Sequence, residues 1–201
     1  MTDKIFPHAY IWMCQHNKSD SNPYHNNKHA LFVFTNAMNI FDVYRKEYGL
    51  KSTDKINLGL ATIFHDFNHS GGKLKDDSNI QLALEGLHEY LQQEDMLDKY
   101  EDIKSILEST EFPHKDMELN ILQKIIRDAD MIGGISEEWL NIITAMASEF
   151  KKDLMLFIPI QLRFLDEIEY QTPYCNDLLK NRKDKIKKQL LKLQSDLFFK
   201  S

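Results

Sequence analysis

Cysteine, glycine and proline are all scarce in this chain. Its 201 residues include two cysteines, Cys14 and Cys175, and neither belongs to a C-x-x-C pair. That excludes a disulfide framework and a cysteine-based zinc site, and the chain reads as reduced and cytoplasmic. Seven glycines and five prolines are too few for the turns of a many-stranded β domain, so helix is favoured. No apolar run is long enough to cross a bilayer, and Met1–Cys14 lacks a basic segment followed by an apolar one. The expectation is therefore no membrane partner and no signal peptide. A broad basic footprint is also missing. The net charge is −6, which argues against general binding to nucleic acid.

What is present is an ordinary globular composition, 42% hydrophobic and 28% charged. We expect one domain over 1–201, with a motif-bearing core over 22–173 and a basic amphipathic helix over 174–200. From Tyr174 to Ser201 eight Lys/Arg face three Asp, a balance of +5, while the other residues carry 17 basic and 28 acidic groups, or −11. The basic stretch reads as a solvated helix face. Helical periodicity recurs over Ala30–Tyr44, Leu58–Phe67, Ser78–Leu91, Tyr100–Leu107, Met117–Ile126, Ile135–Phe150, Ile158–Ile168 and Asn176–Phe198. Breaks fall at Asn22-Pro23, Ser70-Gly71-Gly72, Phe112-Pro113, Gly133-Gly134, Pro159 and Pro173. No stretch alternates with period 2. The fold class is all-α, with about eight helices.

Four polar clusters abut these apolar helices: Tyr24–Ala30, Phe64–His69, Arg127–Met131 and Gln161–Phe164. Ile63-Phe64 leads directly into His65-Asp66, so this pair lies at the buried end of a helix. A buried carboxylate needs a compensating cation, and a metal ion supplies one. His65 and His69 are spaced i, i+4, as are His25 and His29, which suggests one helical face for each pair. Asp130 adds a carboxylate from a distant helix. His29, His65, Asp66 and Asp130 form an N2O2 set suited to Zn, Mn or Fe, with Mg at a second, more oxygen-rich position. Each dipeptide or spacing alone means little; the order H…HD…D, with each member against an apolar run, carries the weight. His8, His16, His88 and His114 read as surface or core polar residues, and Trp12 and Trp139 as packing.

This order resembles the HD superfamily of metal-dependent phosphohydrolases, and within it the class I cyclic nucleotide phosphodiesterases. Tyr24-His25-Asn26-Asn27-Lys28-His29-Ala30 matches YHNxxHA. His65-Asp66-Phe67-Asn68-His69-Ser70-Gly71 matches HDxxHxG. Asp130-Met131 matches the later metal motif. Gln161-Leu162-Arg163-Phe164-Leu165-Asp166-Glu167-Ile168, followed by Pro173, is similar to the segment that closes the family's pocket. The resemblance spans Tyr24 to Pro173 and implies an HD-domain, phosphodiesterase-like helical bundle. It implies two divalent ions: Zn, Mn or Fe on His29, His65, Asp66 and Asp130, and Mg or Mn at a second position touched by Asp66. A bridging hydroxide would attack phosphorus in a 3′,5′-cyclic nucleotide and yield the 5′-monophosphate. His25 would be the general acid, and His69 would orient the water network. Tyr24, Asn26 and Met131 would line the substrate site, Gln161 would bind the base edge and Phe164 would stack on the base.

The family orients its catalytic histidine with a glutamate from a later helix, for which Glu89 and Glu94 are the candidates. Asp77 or Asn79 either lines the site or caps the helix that follows. Two other functions compete with the leading one. One is an HD phosphohydrolase acting on linear nucleotides, alarmones or cyclic oligonucleotides. The other is a non-catalytic nucleotide-binding or helical interaction protein, in which the Asn176–Phe198 stripe could pair two copies as a homodimer.

Overall fold

The computed structural model describes residues 2–199; Met1, Lys200 and Ser201, the last two part of the basic stretch, lie outside them. The described residues are helical and contain no strand. They divide into two compact units that meet in sequence at Asp130 and Met131.

The first unit is built around its most apolar helix. It comprises α1 (Thr2–His16), α2 (Asn27–Tyr44), α3 (Ser52–Phe64), α4 (Asp76–Gln93), α5 (Tyr100–Glu108) and α6 (Ile121–Met131), which ends at the boundary. Every residue of α3 from Asn57 to Phe64 is buried. A helix apolar on all sides must be covered on all sides, and α1, α2, α4 and α5 each pack against α3. Side-chain hydrogen bonds fasten α6 to α5. Gln123 Nε2 donates to the Ser105 carbonyl (3.0 Å), and one turn later Arg127 Nε donates to the Ser109 carbonyl (2.6 Å). The buried Arg127 thus caps the end of α5, where a helix favours a cation.

Sequence periodicity misses α1, because Pro7 interrupts its pattern. Pro7 lies inside the helix, past its first turn, where it removes one backbone donor. Trp12, on this helix, packs as expected. Its ring lies 5.8 Å from both Phe64 and Phe67 and 5.6 Å from Tyr90, and its Nε1 donates to Gln93 Oε1 (2.7 Å). Several boundaries differ from expectation: α3 starts at Ser52 rather than Leu58, α7 at Trp139 rather than Ile135 and α8 at Leu154 rather than Ile158. α3 ends at Phe64 rather than Phe67, and α6 begins at Ile121 rather than near Met117.

The second unit opens with a 3₁₀ turn (Ile132–Ile135), followed by α7 (Trp139–Glu149), α8 (Leu154–Glu167) and α9 (Pro173–Phe198). Pro159 does not break α8, which continues through it. Pro173 starts α9 from its first position, where a missing N–H costs nothing. α8 packs against α7 and α9, and Arg182 of α9 donates to the Ile135 carbonyl (3.2 Å). The basic face of α9 is partly answered: Lys183 and Lys187 lie 3.1 and 2.9 Å from Asp166.

One close approach in the first unit bears on the HD segment. Gly86 of α4 faces the Phe67 ring, and a Cβ there would fall inside contact distance of it. Gly86→Ala should therefore overpack the core by about 1–3 kcal/mol. Thermal unfolding would read this as a lowered Tm; an unchanged Tm would refute the tight fit.

Candidate metal centre

The centre is assembled by helix ends. Asn26 caps α2: its carboxamide oxygen accepts from the amides of Lys28 (2.9 Å) and His29 (3.2 Å), and its nitrogen donates to the carbonyls of Asn22 (2.8 Å) and Pro23 (3.2 Å). The residue expected beside substrate thus spends its hydrogen bonds on holding the first turn of α2, and with it His29. His65 follows the last residue of α3, and its Nδ1 lies 2.8 Å from the Thr62 carbonyl. A carbonyl only accepts, so Nδ1 carries the proton and Nε2 is left for the cluster. Asp130 lies in the last turn of α6.

These parts converge. His29 Nε2 lies 3.2 Å from Asp66 and 3.1 Å from Asp130. His65 Nε2 lies 3.1 Å from Asp66, 3.6 Å from Asp130 and 3.3 Å from His29 Nε2. Ligands at about 2.1 Å from a divalent ion are separated from one another by about 3.0–3.4 Å in octahedral or tetrahedral geometry. His29, His65 and Asp66 therefore fit a cation in both chemistry and spacing, with Asp130 beside the two imidazoles.

Burial alone would push the His29 and His65 imidazoles down. Asp130 and Asp66 outweigh it, lifting His29 above its ordinary range, and Asp66 foremost lifts His65 well above. Burial would likewise raise the carboxyls. The charges of His65 and His25 hold Asp66 well below the carboxylate range, and hydrogen bonds from His29 and His65 hold Asp130 below it. Protons on the imidazoles stand where a cation would. The two imidazole side chains are 4% and 1% exposed, but Asp66 and Asp130 keep 17% and 22%. The cluster is thus open on its carboxylate side.

Asp66 also belongs to a second group. One ligand atom each from His25, Asp66 and His69 lie within 4.8 Å of one another, and the rings of His25 and His69 stack at 3.7 Å and 28°. The i, i+4 spacings do not place these histidines on helix faces. His25 precedes α2, and after Phe64 the chain turns through Asn68 at φ 58° before reaching His69. Asparagine tolerates that left-handed backbone. It is anchored there by Lys18 N–H on its Oδ1 and by its own N–H on Asn17 Oδ1, both 2.8 Å. Tyr24 packs on the same histidines, with its ring 4.7 Å from His25 and 4.4 Å from His29. Neither glutamate candidate serves His25: Glu89 is exposed on α4, and Glu94 lies 3.4 Å from His8.

The remaining expected residues belong to the second unit. Gln161 is buried, and its Nε2 donates to the Gly134 carbonyl (3.2 Å). A Cβ on Gly134 would come within 2.6 Å of the Phe164 ring and 3.1 Å of Gln161 Nε2. Gly134 thus keeps these two side chains together. The Met131 carbonyl accepts from the Tyr170 hydroxyl (3.1 Å).

Sequence reasoning missed two neighbours of the centre. Asp76 opens α4 and accepts from the Phe112 amide; burial, with the negative charges of Asp66 and Asp130, raises its carboxyl. In sequence it looks like any acid in a helix's first turn. His114 is within electrostatic reach of Asp130 and Asp76, while burial and Arg127 push its imidazole down. No spacing signal marks it.

Purified protein should carry transition metal in stoichiometric amount, and Asp66→Ala should lose it while keeping its helical circular dichroism. Stoichiometric metal in that variant, by elemental analysis, would contradict the assignment. Among known proteins, no family model matches this chain and no curated protein matches it.

Proposed function

We propose that this chain is a metal-dependent phosphoric diester hydrolase that opens a 3′,5′-cyclic nucleotide to its 5′-monophosphate. One observation carries the reading. Two imidazoles and two carboxylates meet at separations a divalent ion would bridge, at the positions where the HD-type motifs expect them. His29, His65, Asp66 and Asp130 would hold the first ion, and Asp66, shared by both groups, would reach a second. When bound, such ions supply Lewis-acid charge to the phosphoryl oxygens and acidify water.

The chain's own groups have distinct tasks in this reading. Without a cation, two half-buried carboxylates repel a phosphodiester anion, so substrate binding depends on metal. His25 is half-buried, outside α2 and beside Asp66. It would pass a proton to the departing O3′. Gln161 would hydrogen-bond the base edge, and Phe164 would stack on the base, worth about 1–3 kcal/mol.

A chromatographic assay tests this directly. Metal-loaded protein should convert 3′,5′-cyclic mononucleotides to 5′-monophosphates with no free phosphate released. Turnover confined to linear or oligomeric nucleotides would remove the roles given to His25, Gln161 and Phe164. His25→Ala should lower the rate by about 10²–10⁴-fold while nucleotide binding survives; full activity would sink its role. Gln161→Ala should relax base selectivity and largely keep turnover of the best substrate. An unchanged substrate profile would count against its place at the base.

A further inference from the structure

We propose that Asn79 is a positioning residue for His25, acting through the His69 ring; the proposal rests on the reading of His25 as proton donor. Asn79 lies in the first turn of α4 and is 5% exposed. Its carboxamide oxygen accepts from the Ser70 amide (3.0 Å), and its nitrogen lies 3.0 Å from His69 Nε2. These partners fix which way the amide faces. Turned over, its nitrogen would meet the Ser70 N–H, a repulsive pairing.

A fixed amide fixes the ring. His69 is buried, and its own carbonyl accepts from Asn22 Nδ2 (2.9 Å). With the backbone held on one side and Nε2 met by Asn79 on the other, the plane of the imidazole is set. His25 lies against that plane, 3.7 Å away. The stack gives His25 an orientation that neither Glu89 nor Glu94 supplies.

The trio His25, Asp66 and His69 could instead be taken for the ligands of a second ion. Against that, the Gly71 amide lies 3.2 Å from Nδ1 and Asn79 Nδ2 lies 3.0 Å from Nε2, and a neutral imidazole has a single lone-pair nitrogen, which one of these two amides already meets. An ion on His69 would have to displace one of them.

Three variants of the full chain test the proposal. Asn79→Ala removes the whole group. Asn79→Asp keeps an acceptor for Ser70 and nearly the same volume, replaces the NH₂ facing His69 by an oxygen and adds a negative charge; Asn79→Leu, of similar volume and uncharged, removes both polar atoms and controls for that charge. His25 and His69 ring signals are followed by NMR, assigned with His25→Gln and His69→Gln, alongside kcat, KM and metal content. In all three variants the His25 ring protons, shielded by the stack in the wild type, should move downfield, although Asn79 does not touch His25. kcat should fall about 10–100-fold, the usual cost of losing such a supporting group, with KM and metal content little changed. His25 signals that stay in place in Asn79→Leu, with full activity and only a lowered Tm in Asn79→Ala, would reduce Asn79 to a structural role and overturn the proposal. A wild-type protein with no turnover would overturn the proposed function, and the His25 signals would still decide the positioning.

Discussion

Everything in the first unit is arranged around the need to neutralise two carboxylates beside two buried imidazoles. Asp66 and Asp130 cannot stand next to a closed apolar core as bare anions, because the desolvation cost would run to several kcal/mol each. The two histidines answer them at 3.1–3.6 Å. Holding four such groups to a few tenths of an ångström requires stiff supports. The buried helix α3 supplies one, the capped start of α2 another and the last turn of α6 the third. The Thr62 carbonyl and the Asn26 carboxamide are small contacts, but they decide which ring nitrogen faces the cluster and where the first turn of α2 begins.

The segment after His65 is where the chain leaves regular structure. Asn68 adopts a backbone that few residues accept, and Lys18 and Asn17 clamp it from the loop before α2. Gly86 makes room for Phe67 in between. The HD segment is thus gripped residue by residue, and its irregularity is what sends His65 and His69 into different groups.

Much of this was legible in the sequence. The all-α class followed from scarce turn residues and from 3.6-residue periodicity, and seven of the nine α-helices among the described residues begin or end within a few residues of their apolar patterns. The residues that form the cluster could be named, because H…HD…D against apolar runs has few other physical uses. The local geometry was not legible. The i, i+4 spacing of His65 and His69 suggests a shared helix face, but periodicity cannot say where α3 stops, and a left-handed Asn68 leaves no trace in hydropathy. Asn26 reads as a site residue from its motif and proves to be a helix cap. Asp76 and His114 come close through tertiary packing alone, which no local pattern encodes. Helix α1 was obscured by a proline in its interior.

The placement of the cluster at helix termini has a consequence beyond its side chains. α3 ends immediately before His65, and Asp130 lies in the last turn of α6. The carboxyl end of a helix carries a partial negative charge, about half an elementary charge, from its aligned peptide dipoles. Two such ends meet at this centre. Their backbone carbonyls add negative potential there, offset in part by the positive start of α2, which also reaches the centre. Part of the field that a cation meets thus belongs to the path of the chain, while the oxygen atoms that would hold it belong to the aspartates.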